Sequence, residues 1–244
     1  MQRKRTRTIA GTAMLAGWLV ATPAVLAQET PSASEQVILD SEGFLAAHPD
    51  LQNRGRGWAA YNSGAHAEAM TWFRRAARYA DKPSQGMIAE MYWKGEGVPR
   101  DPVLAYIWMD LAAERGYEGF VIIRERYWTA LDSAQRAEAV RQGQAVYAQF
   151  GDEVAKPRIA SVLRRARNRM TGSRVGMVGN LRIEIPGPGG VPHTIDGSHY
   201  YAEKFWDPET YQAWQDAIWT KPRVGRVDIG DVEPLRRASE GGKP

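Results

Sequence analysis

Through the middle of the chain, apolar residues recur every three or four positions, the period of a helix with one buried face. After Asp101, the residues Ala105, Trp108, Met109, Ala112 and Ala113 fall at offsets 0, 3, 4, 7 and 8. That is one stripe of an α-helix. Asp101-Pro102 supplies its start, because a short carboxylate accepts an unpaired N–H of the first turn and proline suits the first helical position. Gly116 can end it. Upstream, Met91-Tyr92-Trp93-Lys94 closes another amphipathic segment, and Gly95 follows where a left-handed residue is needed. The stretch KGEGVPRD, Lys94 to Asp101, is therefore a turn between two antiparallel helices. As a phosphate loop it would need a strand before it and a Gly-Lys-Ser/Thr ending, and it has neither.

The pattern occurs once more upstream. Tyr61 and Gly64 lie 31 residues before Tyr92 and Gly95, and Ala69, Trp72, Ala76 and Ala77 lie 36 before Ala105, Trp108, Ala112 and Ala113. The second unit thus repeats the first with five more residues in its turn. Such a period marks stacked helix pairs, none of which buries its apolar face alone.

The second unit resembles the Sel-one-like repeat, a relative of the tetratricopeptide repeat. Tyr92, Gly95, Gly97, Val98, Asp101, Ala105, Trp108, Ala112, Ala113 and Gly116 stand at its aromatic, Gly-x-Gly-Val, Asp, Ala, Trp and Ala-Ala-x-x-Gly positions. Ile88-Ala89 departs from the usual Leu-Gly, with alanine still small enough for close helix contact. Trp58 to Asp81 matches with a shortened turn. Glu118 to Gly151 supplies a degenerate third pair, whose second helix Asp132-Ser133 and Gln135 can cap. The resemblance covers less than half of the chain. It implies an α-solenoid that serves as a protein-interaction scaffold, and it names no ligand. Trp58, Trp72, Trp93, Trp108 and Trp128 can be read as a ligand-stacking groove, but equivalent repeat positions favour the core for most of them. Arg74, Arg75, Arg78, Glu114 and Arg115 read as a solvated face.

From Asp152 the chain changes character. Pro157 to Met170 (PRIASVLRRARNRM) predicts one more helix, with Ile159, Val162, Leu163, Ala166 and Met170 on one face. Arg158, Arg164, Arg165, Arg167, Arg169 and Arg174 are candidate anion-binding residues, for a lipid headgroup, an acidic glycan or an acidic protein. The plainer reading, which is favoured, pairs them with acids elsewhere in the protein. TGSRVGMVG (Thr171 to Gly179) has glycines at no phosphate-binding spacing. Leu181 to Ile185 alternates as a half-buried strand, PGPGG turns, and Val191 to Ile195 returns. Asp196-Gly197 turns again, and Asp207-Pro208 starts a short helix carrying Tyr211, Trp214 and Ile218. Arg223 to Ile229 alternates as a third strand. TGSRVG and YYAEKFWDPETYQAW are similar to segments that follow the repeats in Sel-one-like proteins of bacterial envelopes. That resemblance adds no catalytic residue.

At the N-terminus, Arg3, Lys4, Arg5 and Arg7 precede a mostly apolar run, Ile9 to Val20, too short to span a bilayer comfortably. Val25-Leu26-Ala27 then offers a cleavage site, so the pattern is that of a secretory signal peptide cut near Ala27. The whole chain carries a formal charge of +4 from 32 basic and 28 acidic residues. Without the four basic residues of the leader the balance is even, so global charge points to no polyanion and no nucleic acid. The absence of cysteine excludes disulfides, thiolate metal sites and thiol nucleophiles.

The expected organisation is mainly α: a signal peptide over 1–27, a flexible leader over 28–43, helical repeats over 44–151, a C-terminal α+β module over 152–235 and a loose tail over 236–244. The solenoid is expected to hold about three helix pairs, followed by the basic helix and the small module. His193, Asp196, Ser198, His199 and Glu203 lie close in sequence. However, the two histidines are six apart, not at i, i+4, and no GxSxG or HExxH occurs. No catalytic, cofactor or metal residue is assigned, and no integral membrane segment is expected in the mature chain. The expected function is a secreted or periplasmic scaffold that holds another envelope protein in a helical-repeat groove. The alternatives are a binding module for anionic envelope polymers, using the basic helix and the aromatic C-terminal segment, and, third, a metal-dependent hydrolase.

Overall fold

Caps place most of the element boundaries in the computed structural model, which describes residues 31–170, 181–186 and 192–220. Helix α1 (Ala33–Asp40) opens on Ser32, whose hydroxyl accepts the Glu35 N–H while the Glu35 carboxylate accepts the Ser32 N–H. This is a reciprocal capping box. Helix α2 (Glu42–Ala47) is capped by Ser41. Two hairpins follow: α3 (Pro49–Asn62) with α4 (His66–Ala77), and α5 (Lys82–Lys94) with α6 (Pro102–Ala112). Between α5 and α6, Gly95 takes φ 79° and Asp101 accepts the Leu104 N–H at 2.9 Å. A 3-10 turn, Ala113–Arg115, ends on Gly116 at φ 71°. Helices α7 (Glu118–Ala130) and α8 (Ser133–Phe150) both rest on α6, and Asp132 and Gln135 form the capping box of α8.

The repeat core is built largely from alanine. Ala69, Ala76, Ala77, Ala89, Ala105 and Ala112 are fully buried, interleaved with Phe73, Ile88, Met91, Trp108 and Leu111. Small side chains let the helices approach closely, and the large ones fill the gaps between layers.

A second core joins the two ends of the described chain. Ile38 of α1 and Phe44 of α2, both fully buried, pack with Ala166, Ile185, Ile195, Tyr200, Phe205 and Trp206. Residues 33–43, expected as part of a flexible leader, are thus helical and anchored. Their polar composition hides the apolar Val37-Ile38-Leu39, and most of the core that Ile38 joins, Phe44 apart, comes from more than a hundred residues further along the chain.

Helix α9 (Asp152–Met170) starts five residues before the expected Pro157. Proline in its second turn removes one N–H donor but leaves the rest of the helix intact. Strands β1 (Arg182–Pro186) and β2 (Pro192–Asp196) pair antiparallel in the register Ile183↔Ile195 and Ile185↔His193. Ile183, Ile185 and Ile195 therefore share the inward face. Asp196-Gly197 is not a free turn: Asp196 caps α10 (Gly197–Tyr200). Helices α11 (Glu203–Trp206) and α12 (Pro208–Thr220) complete the module. The expected third strand, Arg223 to Ile229, and TGSRVGMVG lie outside the described residues.

Helix α12 ties this module to the repeats. Tyr211 donates to Asp50 of α3 at 2.5 Å, Asp216 accepts from Arg115 and Tyr117 beside the start of α7, and Trp219 stacks on Phe120.

Candidate protein-binding face and basic helix

The ten repeat positions named from the sequence lie in the second hairpin and the 3-10 turn that ends it. Tyr92 is buried; its hydroxyl accepts from Arg74 at 2.5 Å and its carbonyl accepts the Asp101 N–H at 3.0 Å. Gly97 lies against the start of α4. A Cβ there would stand 2.4 Å from the His66 carbonyl carbon, and its φ is 71°. Tyr61 donates to Glu96 at 2.6 Å, so the long turn is locked onto the first hairpin from two sides. Ala105, Trp108, Ala112 and Ala113 are in the core.

Helices α3, α5 and α7 each carry partly exposed apolar side chains. Trp58 on α3 is 40% exposed and meets Tyr61 and Phe73 edge-on. Trp93 on α5 stacks on Tyr127 of α7 at 4.1 Å, with the Arg100 guanidinium 5.3 Å from its ring. Met87 and Ile123 are half-buried, and Ile122 is 45% exposed. Burial, then the Glu90 charge, raise the Tyr127 phenol, and its hydrogen bond to Glu96 raises that of Tyr61. Both phenols stay neutral.

Of the five tryptophans read mostly as core, Trp108 alone is buried. Trp72, at the equivalent position of the first repeat, is half-exposed between Arg56 and Arg75 at 4.9 and 4.5 Å. Trp108 packs on Phe150 of α8.

The charges read as a solvated face are divided between surface and interior. Arg74, Arg75 and Arg78 stay at or near the surface, but the Arg115 side chain turns inward and Glu114, itself at the surface, reaches the buried Lys82. Lys82, 1% exposed, donates to Glu114 at 2.6 Å, to the Leu111 carbonyl at 2.9 Å and to Gln85 at 3.1 Å, and stands 3.0 Å from Asp152. Arg115 holds Asp152 through two bonds, at 2.6 and 2.9 Å, and reaches Asp216 at 2.9 Å. Burial would raise the Asp152 carboxyl; the bonds from Arg115 and the Lys82 charge outweigh it and hold it well below the carboxylate range. Burial lowers Lys82 despite the two carboxylates. A lysine with a lowered pKa is a candidate catalytic group, yet the cavity beside it measures about 10 Å³, room for a single water at most. The cluster joins α5, α6, α9 and α12, and nothing in the local sequence pattern announced it.

His48 was also missed. It is fully buried, with one ring nitrogen 2.8 Å from the Phe44 carbonyl and the other 2.7 Å from that of Phe205. It joins α2 to α11. His193 and His199, by contrast, are exposed, and Ser198 donates to Asp196 at 2.7 Å as part of a helix cap. Among the described residues no three His, Asp or Glu side chains converge as metal ligands.

Along α9 the arginines separate. Arg158 is spent inside the fold, on the carbonyls of Gln149 at 2.6 Å and Arg78 at 3.3 Å. Arg167 stands 3.7 Å from Asp207. Arg164, Arg165 and Arg169 are exposed and, among the described residues, bond within their own helix, to the Ala160 carbonyl, the Ser161 hydroxyl and the Arg165 carbonyl. Arg174 lies outside the described residues.

The two hairpins, the second with an Asp-capped helix and a Gly-x-Gly turn, coincide with a family match: residues 59–78 and 83–117 match the Sel1 repeat. The chain carries Sel1 repeats. A solved structure, a protective antigen present in uropathogenic Escherichia coli strains and displaying an SLR fold, is similar at 22% identity with a TM-score of 0.41. The similarity covers 54% of this chain and 27% of that one, so the chain spans little more than a quarter of that protein. No curated protein matches. The Sel1 repeat suggests a protein-interaction scaffold. Among the described residues no helix is long and apolar enough to cross a membrane.

Proposed function

We propose that this Sel1-repeat protein is a non-catalytic scaffold, exported from the cytoplasm, that holds another envelope protein on the face of α3, α5 and α7. One observation carries the reading. Trp58, Trp93 and Ile122 lie half-exposed along that face, and Trp93 is held in one orientation by its stack on Tyr127. Rigid aromatic side chains with exposed apolar area are the residues that anchor protein interfaces. Export rests on the basic and then apolar pattern of residues 3–27, and the mature chain would start at Gln28.

The test is co-purification of the partner from the native cell. Trp93→Ala combined with Ile122→Ser is expected to abolish it while leaving the helical circular dichroism unchanged. Val140→Ser, 63% exposed on α8, is expected to leave it intact. Equal recovery with both variants would refute this face, and a mature N-terminus at Met1 would refute export by a cleaved leader.

A further inference from the structure

We propose that the outward face of α9 is a docking surface for anionic phospholipid headgroups, formed by Arg164, Arg165 and Arg169. The apolar face of the helix is used up: Ala155, Ile159, Leu163 and Ala166 are buried, Ile159 and Leu163 with Tyr211 and Ala166 with Phe44. What remains exposed between 164 and 169 is Arg164, Arg165, Arg167, Asn168 and Arg169. No acidic residue occurs from Val154 to Met170. The expected pairing of these arginines with acids is met at Arg167 by Asp207, and Arg158 is satisfied by carbonyls. At Arg164, Arg165 and Arg169 one contact each within the helix leaves four of five guanidinium donors for a ligand.

Those donors suit phosphate, which a planar guanidinium binds through two parallel bonds. The choice of a lipid surface over an acidic protein follows from what this face lacks. The hot spots of protein interfaces are Trp, Tyr and Arg seated in well-packed, desolvated pockets, and the exposed residues of 164–169 bring no apolar side chain to pack around the arginines. Adsorption to a sheet of charged headgroups needs only the charges. With no exposed apolar side chain there to insert, binding stays at the headgroup level and depends on salt.

The sequence has no cysteine, so Ser161→Cys gives a single spin-label site among the arginines and Val140→Cys a reference on α8. Vesicles of phosphatidylcholine with phosphatidylglycerol are expected to shield the label at 161, and not that at 140, from an aqueous relaxation agent. Vesicles of phosphatidylcholine alone should shield neither, and high salt should remove the effect. Comparing two sites separates contact by α9 from any adsorption through the N-terminal residues. Changing Arg164, Arg165 and Arg169 to glutamine should raise the lipid concentration for half-shielding roughly a hundredfold, from about a factor of five per charge. The same positions changed to lysine should keep most of the binding and so show that the helix tolerates substitution. Equal accessibility at 161 and 140 on anionic vesicles would overturn the proposal, as would shielding that survives the glutamine variant. Shielding by polyglutamate but not by vesicles would also overturn it.

Discussion

At the scale of single residues, the fold rests on a few positions where no other side chain fits. Gly97 combines a left-handed backbone with a Cβ direction that points into the α4 backbone. Gly116 has the same φ of 71° but open space around it. Gly116→Ala should therefore cost about 1 kcal/mol for the backbone alone, and Gly97→Ala at least twice that, as read by denaturant unfolding. Lys82 sits at the centre of the buried ionic cluster. Lys82→Met leaves Asp152 with Arg115 but strips its other buried cation, and should destabilise by about 3 kcal/mol. The pH dependence follows from the sign of the Asp152 shift. Its folded pKa is depressed, so its contribution is complete above the ordinary aspartate value, about 3.9, and is lost as pH falls below it. Without Lys82 the depression is smaller, so the variant should lose less stability than wild type on acidification from about pH 6 to about pH 3. A variant that loses more would show that Lys82 does not hold that carboxylate.

At the scale of elements, α2 and α12 make the chain one unit rather than a solenoid with appendages. Phe44 is fully buried among Tyr200, Phe205 and Trp206, so Phe44→Ala should cost about 3–5 kcal/mol. A mobile leader would make the same change neutral. Tyr211→Phe keeps the packing of α12 but takes from Asp50 its hydrogen-bond donor, and should cost about 1–3 kcal/mol in thermal or denaturant melts. Asp50 already has one oxygen with no partner, and burial raises its carboxyl. The helix pairs were legible because caps and apolar spacing are local: Asp101, Gly95 and the stripe from Ala105 to Ala113 are each read within a few residues. The strands were legible from alternation, with each boundary one residue off. Helix α1 was not, although its Ser32-x-x-Glu35 box is printed in the sequence, because most of the core that Ile38 joins comes from residues far along the chain. Proline at 157 suggested a helix start, whereas the structure places it in the second turn of α9.

At the scale of the whole molecule, two surfaces stand out among the described residues. One is the aromatic band across α3, α5 and α7, and the other is the arginine face of α9. The arginines of that face were visible as a basic run, but the sequence could not tell Arg158, bound to carbonyls, from Arg164, Arg165 and Arg169, which face solvent. The tryptophans were visible too, yet their depth depends on what covers each one: Trp108 has Phe150 of α8, whereas Trp72 packs on the core from one side and is flanked by Arg56, Arg75 and Glu68. Of the two surfaces, the aromatic band carries the scaffold reading, and contact with a partner at that band tests it most directly. A photoreactive amino acid placed singly at Trp58, Trp93, Ile122 or Val140, in cells that make the protein in its native setting, would register that contact. The account predicts that positions 58, 93 and 122 attach to one and the same protein and that position 140 attaches to none. Adducts at 140 alone, or none at the three positions of the face, would contradict it.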